Sequence, residues 1–191
     1  FKPMVKWLAY LDILQMEDFE FPTPEIESRV VMSIFNAMSF GQPDHPDIAR
    51  WEERAFKLMQ GSSDINLRVQ NGLYLLAYYL WTGNHARAAF IVKQIQETPL
   101  SKGISPLTLI GIKVVQAFHC IFTAECEPGV KAVQEALQIA EETGVHIWDN
   151  HLLCHGIASA LSMGDFVATD ALLNKLLGTI KGGKRFDIGY C

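Results

Sequence analysis

Two histidines and a cysteine on one short segment are the residues best placed to do chemistry. His151 and His155 stand four positions apart, and Cys154 lies beside the second histidine. On a helix, residues at this spacing share a face, and imidazole pairs of this kind bind zinc. A zinc protease with this pair needs a glutamate after the first histidine, but Leu152 stands there. The segment therefore predicts packing or groove-lining histidines, and a metal-dependent enzyme is the alternative.

A glycine-rich segment at 178–185 has the spacing of a phosphate-binding loop. It lacks the serine or threonine that would bind magnesium, because Arg185 stands there, and a helical pattern rather than a strand precedes it. We interpret it as a basic loop. The segment 44–47, with two aspartates, a histidine and a proline, is typical of a turn. We therefore expect no catalytic residue, no metal and no cofactor.

The composition narrows the class of protein. The chain has 191 residues, a net charge of −5, 49% hydrophobic and 19% charged residues. This length fits one domain, and the acidic balance argues against a nucleic-acid interface. The longest apolar run, 73–81, is about half of the roughly 18 residues that a membrane span needs. Four irregularly spaced cysteines are typical of reduced thiols. We expect a cytoplasmic protein with no membrane contact.

Turn signals recur along the chain at a nearly constant step of 40 to 42 residues. They lie at 40–44, 83–84, 124–129 and 164–165. Each follows one apolar helical pattern and precedes another, so each unit is predicted to be a helical hairpin. Isolated hairpins cannot bury their apolar faces, whereas stacked hairpins can. The pattern predicts an all-α protein, an α-α superhelix of about four antiparallel helix pairs with a repeat length of about 40.

The predicted organisation is one helical-repeat domain over 1–191, a piece of a larger protein. The repeats cover 25–61, 65–100, 106–144 and 147–181, with a preceding helix at 1–20 and the start of a further repeat at 185–191. Thr23 and Ser105 each precede a proline and are predicted N-caps. Glycines at 83, 144 and 164 are predicted to end helices in the left-handed conformation.

The hairpin pattern resembles the tetratricopeptide repeat. The matching residues of the second unit are Leu75, Tyr79, Gly83, Asn84 and Ala88. Those of the fourth unit are Leu153, Ala160, Gly164, Asp165 and Phe166. The other two units match poorly, because Ala124 replaces the turn glycine in the third and a proline-rich insertion follows Gly41 in the first. The repeat is also longer than the standard tetratricopeptide repeat.

Longer repeats of this kind are similar to the sensor superhelix of bacterial signal-transduction ATPase regulators of the maltose-activator type. That resemblance implies a non-catalytic interaction or sensor module within a cytoplasmic signalling or transcriptional regulator. Flanking domains would then carry the ATPase activity and the DNA binding. The implied partner is a protein segment or a small inducer on the concave face, with no nucleic acid bound by this segment.

If the first helix of each repeat faces the concave side, the register places apolar and aromatic residues in a groove. Met32, Phe35 and Met38 are the predicted groove residues of the first repeat. The candidate partner-binding residues are Gln70, Tyr74, Trp81, Phe118, Phe122, His151, Cys154 and His155. Methionine and aromatic side chains offer adaptable apolar contact area. The alternatives are that these residues pack between helices, that the chain is a metal-dependent enzyme using His151 and His155, or that it is a structural scaffold.

Overall fold

The computed structural model describes residues 20–97, 99 and 104–180, which fold into helices joined by short turns. The helices are α1 (Pro24–Gly41), α2 (Ile48–Gly61), α3 (Ile65–Trp81), α4 (His85–Gln96), α5 (Pro106–Thr123), α6 (Cys126–Thr143), α7 (Asp149–Ser162) and α8 (Phe166–Ile180). No strand occurs within these ranges, so the all-α class is confirmed. Residues 1–19 of the predicted first helix and the predicted further repeat at 185–191 lie outside the described residues.

The two predicted threonine and serine caps start their helices as expected. The Thr23 hydroxyl accepts a hydrogen bond from the backbone N–H of Ile26 at 3.2 Å. The Ser105 hydroxyl accepts one from the N–H of Thr108 at 3.1 Å. Each side chain satisfies one of the amide groups that the first helical turn leaves unpaired. Local sequence therefore sets where α1 and α5 begin.

The turns inside three of the hairpins and the end of α6 use the left-handed backbone conformation. Gly83, Gly144 and Gly164 have φ values of 75°, 72° and 72°, which confirms the predicted role of these glycines. Ala124 occupies the same conformation between α5 and α6, with φ of 59°. It is the one non-glycine residue with positive φ in the described part of the chain. Its Cβ makes this conformation unfavourable by about 1–2 kcal/mol.

We expect Ala124→Gly to raise the free energy of unfolding by about 1 kcal/mol, because it removes the steric conflict of a left-handed alanine. Urea unfolding followed by circular dichroism measures the change. Gly144→Ala is the matched control, since it places an alanine in the same conformation and should destabilise the protein by a similar amount. A loss of stability in both variants would contradict the assignment of strain to Ala124.

The hairpins pack side by side, and the first helix of each contacts the first helix of the next. The contacting pairs are α1 with α3, α3 with α5, and α5 with α7. Each second helix packs against its own first helix, and α2, α4 and α6 also contact the first helix of the hairpin that follows. The odd-numbered helices thus run next to one another, which brings side chains from distant parts of the sequence onto one face.

The structure corrects one prediction for the first repeat: the residues predicted to line the groove belong to the core. Met32, Phe35 and Met38 are at most 4% exposed. The Phe35 ring meets the edge of Tyr78 at 5.1 Å between centroids, so this side of α1 is turned toward α3. Residues at i, i+3 and i+6 share one helical face, and here α1 buries that face against its neighbours.

A polar cluster ties α2, α3 and α4 together on the side of the buried Tyr79. The Tyr79 hydroxyl donates to the Glu52 carboxylate, and Arg87 pairs with Glu52 and with Glu53, the latter at 2.9 Å. Burial and the hydrogen bond with Glu52 raise the pKa of Tyr79. The Arg87 guanidinium also lies 4.8 Å from the centroid of Phe56, a cation–π arrangement. The cluster fixes the second hairpin against the first.

Among the described helices, α5 is long and apolar enough to cross a membrane by length and composition alone. Its mean hydropathy is 1.4, and half of its residues are buried inside the protein. The longest uninterrupted apolar run does not include this segment, because lysine, glutamine and histidine interrupt it. A buried core helix meets the same criterion, and α5 packs against α3, α4, α6 and α7.

Candidate functional site

Aromatic and imidazole rings from four helices form a continuous series across the face of the odd-numbered helices. We call this series the aromatic ladder, and it consists of Phe40, Trp81, Phe118, Phe122, His155, His151 and Trp148. Phe40 meets Trp81 at 5.3 Å between centroids, and Trp81 meets Phe118 at 6.3 Å. Phe118 then contacts Phe122 at 5.4 Å and His155 at 5.1 Å. His151 lies 4.2 Å from His155 and 5.4 Å from Trp148.

The ladder joins predicted site residues that are far apart in sequence. Trp81, Phe118, Phe122, His151 and His155 were all predicted to share a groove, and the structure brings these five into one series of ring contacts. Most of the contacts are edge-to-face, the geometry that the ring quadrupole favours. The ladder crosses the boundaries between hairpins, so it depends on how the hairpins stack.

The ladder has an exposed edge and a buried floor. Trp81 is 54% exposed, Phe40 is 44% exposed and Phe122 is 39% exposed. Phe118 is 7% exposed and lies beneath them, in contact with rings on both sides. Phe118 therefore supports the ladder from beneath, whereas the rings of Phe40, Trp81 and Phe122 are open to solvent.

The two histidines of the ladder bond to each other. Their Nε2 atoms lie 2.8 Å apart, so one ring donates and the other accepts. Burial lowers the pKa of His151 to about 4. Burial, together with the neighbouring His151, lowers the pKa of His155 to about 3. Both rings are consequently neutral at pH 7, and this part of the ladder carries no charge.

The histidine pair has two converging nitrogens, but the described part of the chain places no further metal ligands beside them. Within the described residues, no group of three histidine, cysteine, aspartate or glutamate side chains is placed to hold a metal ion. Catalytic zinc sites use three protein ligands. Cys154 is half-buried on the same helix and does not complete such a group.

Gln70 and Tyr74 lie on the same helix as Trp81 but form a separate cavity. This cavity of about 260 Å³ lies between α3, α5 and the start of α7. Trp148 lines it and also contacts His151, so the cavity adjoins the ladder at its α7 end. The structure therefore divides the predicted groove into a cavity and a ladder that share Trp148.

Sequence reasoning missed Phe40 and Trp148, although a signal for both was present. Phe40, Trp81 and Phe122 recur at steps of 41 residues at the ends of α1, α3 and α5. Trp148 precedes His151 by three positions and His155 by seven, the spacing of one helical face. The repeat period identifies the first residue, and the helical period identifies the second.

Two other candidate motifs have ordinary structures. The first residues of the phosphate-loop-like segment belong to α8, where the Thr179 hydroxyl donates to the side chain of Asn150 at 2.6 Å. Residues 181–185 of that segment lie outside the described residues. At 44–47 the Asp47 N–H donates to His45 Nδ1 at 3.2 Å, which is turn chemistry.

Comparison with known protein families, curated proteins and solved structures finds no match to this chain.

Proposed function

We propose that this chain is a non-catalytic, tetratricopeptide-like interaction or sensor module that binds its partner on the face of the odd-numbered helices. The observation that carries the proposal is the aromatic ladder, since exposed rings at the ends of three separate helices serve no purpose in a sealed core. Peptide segments and small inducers with apolar groups are the partners that such a surface fits. The module would act within a larger cytoplasmic signalling or transcriptional regulator whose other domains flank it.

The proposal includes an α-α superhelix with a repeat length of about 40. Its support is the spacing of the turn residues Gly83, Ala124 and Gly164, at steps of 41 and 40, and the serial contacts of the odd-numbered helices. In such an array each hairpin contacts mainly its neighbours, and the first helices line the concave side. The ladder would then lie on the concave side.

Binding to the ladder is coupled to hairpin stacking in this proposal. Phe40, Trp81 and Phe122 sit at the ends of three different helices, so a ligand that contacts all three favours one relative placement of the hairpins. A ligand shifts a conformational equilibrium only by its differential affinity for the two states. The ladder provides that difference, because its rings move apart when the hairpins rotate.

The test is a selection for ligands followed by a ladder variant. One screen selects peptides that bind the domain from a random library displayed on phage. A second screen tests pooled small molecules and measures the melting temperature of the domain. A ligand at 100 times its Kd adds about 2.7 kcal/mol to stability, which is roughly 5–10 °C for a domain of this size. We expect Trp81→Ala combined with Phe122→Ala to weaken the selected ligands at least tenfold.

Phe166→Ala is the matched control, because Phe166 is 70% exposed and lies on α8, away from the ladder. It should leave the affinities unchanged. Ligands that bind the ladder variant as tightly as the wild type would overturn the proposal. A complete absence of ligands from both screens would favour the structural scaffold instead.

A further inference from the structure

The cavity beside the ladder has the size of a single ring system. Its volume is about 260 Å³, just below the range of about 300–1,000 Å³ that is common for sites of drug-sized ligands. Tyr74 on α3 and Trp148 at the start of α7 supply aromatic walls, and these helices pack on the two sides of α5. Gly111 of α5 lines the cavity between them, and a Cβ at this position would come within 3.2 Å of Val69 Cγ1, so the glycine lets α3 and α5 approach closely here.

The cavity excludes charged groups. None of the described residues that line it is an aspartate, glutamate, lysine or arginine. The polar groups at its α5 end are already paired within the protein, since Asn66 Oδ1 accepts hydrogen bonds from the Thr108 hydroxyl and the Ser105 N–H. A charge buried here would lose its hydration without gaining a counter-ion, which is strongly unfavourable.

Gln70 gives the cavity a polar rim. Its side chain is exposed and lies one helical turn from Tyr74 on the same face of α3. A glutamine amide both donates and accepts hydrogen bonds, which matches the N–H and C=O of a peptide group. The combination of an aromatic interior and an amide at the entrance suits a side-chain ring attached to a polypeptide backbone.

The length of the surface favours a peptide over an isolated ring. Along α5, the distance from Gly111 in the cavity to Phe122 in the ladder is eleven residues, or about 16 Å at 1.5 Å per residue. An extended peptide covers this distance with about five residues. The two regions share Trp148, so the surface is continuous from one to the other.

From these observations we infer that the cavity is an anchor pocket for one uncharged aromatic side chain of an extended peptide, whose following residues lie along the aromatic ladder. The inference rests on the proposed function and names the ligand class of that surface. A second uncharged aromatic or apolar residue about four positions from the anchor would contact Trp81 and Phe122. The peptide between the two carries no charged residue, because neither the cavity nor the ladder provides a partner for one.

The experiment uses fluorine NMR with defined probes. The first probe is N-acetyl-4-fluorophenylalanine amide, a single uncharged ring, and the second is a capped pentapeptide with 4-fluorophenylalanine at its first position and leucine at its fifth. We expect both to bind, the pentapeptide at least tenfold more tightly. Exchanging the fluorinated residue for lysine, with the fluorine label moved to the fifth residue, should abolish detectable binding.

Two variants separate the anchor from the ladder. Gln70→Lys adds a charge at the exposed rim of the cavity and should weaken the binding of both probes at least fivefold. Gln134→Lys, at an exposed position of α6, is the matched control and should leave the binding of both probes unchanged. Trp81→Ala should weaken the pentapeptide and leave the single ring unchanged.

The outcomes distinguish the inference from the proposed function. Peptides that respond to Trp81→Ala but not to Gln70→Lys would overturn the anchor pocket and leave the ladder proposal standing. Equal affinity of the two probes would overturn the extended peptide, since the cavity would then serve a small molecule. Failure of both probes to bind would overturn the anchor pocket. Selected ligands indifferent to both variants would overturn the anchor pocket and the proposed function together.

Discussion

Phe118→Ala is expected to lower the free energy of unfolding by about 3–4 kcal/mol. The side chain is 7% exposed. It contacts the rings of Trp81, Phe122, His151 and His155, so its removal leaves a cavity and loses all four ring contacts. Replacing a buried phenylalanine by alanine costs about 3–5 kcal/mol because transfer energy and packing are both lost. Urea unfolding followed by circular dichroism measures the change, and the melting temperature should fall by roughly 10 °C.

Phe122→Ala is the control for this prediction, because it removes the same type of ring one helical turn away from a more exposed position. Its cost should be near 1 kcal/mol, since an exposed side chain already contacts water. Equal destabilisation by the two changes would contradict the division of the ladder into a buried floor and an open edge.

Acidification from pH 7 to pH 5 is expected to destabilise the protein by about 2–4 kcal/mol through the histidine pair. The pKa values of His151 and His155 are lowered to about 4 and about 3 in the folded protein, against about 6.5 in an unfolded chain. Below pH 6.5 the unfolded state therefore binds protons that the folded state excludes. The stability that the neutral histidine pair contributes is fully present above pH 6.5. It falls by about 1.4 kcal/mol per pH unit for each ring as the pH approaches the pKa values of the folded protein.

Urea midpoints between pH 7 and pH 5 test this, because this range lies above the ordinary pKa range of carboxylates. The variant with His151→Phe and His155→Phe keeps two aromatic rings and should lose most of the pH dependence. A small slope should persist, since burial also lowers the pKa of His119. An unchanged slope in the double phenylalanine variant would show that the pair does not titrate as expected.

Helix positions followed from the sequence because their determinants are local. The Thr23 and Ser105 caps and the glycines at 83, 144 and 164 act within a few residues, and each has its predicted role. The five ladder residues Trp81, Phe118, Phe122, His151 and His155 were also predicted together, because the helical period and the step of about 40 residues place them on equivalent faces.

Other features depend on contacts between distant residues and did not follow from the sequence. Met32, Phe35 and Met38 were predicted to line the groove, but this face of α1 is buried. Phe35 packs there against Tyr78, which lies 43 positions later in the sequence. The cavity around Gln70 and Tyr74 is closed by Trp148, which comes from a different hairpin. The spacing of His151 and His155 predicted a shared face, whereas the lack of a third ligand among the described residues depends on the surrounding helices.

The positions of the tryptophans give the aromatic ladder an optical consequence. Trp81 and Trp148 contact ladder rings from different helices, while Trp51 is 2% exposed in the core. Indole emission changes in wavelength and intensity with hydration and with contacts to neighbouring side chains. A rotation of one hairpin against the next therefore alters the emission of Trp81 or Trp148, whereas Trp51 stays in the core. The intrinsic tryptophan fluorescence of the protein therefore reports on hairpin stacking without an attached label.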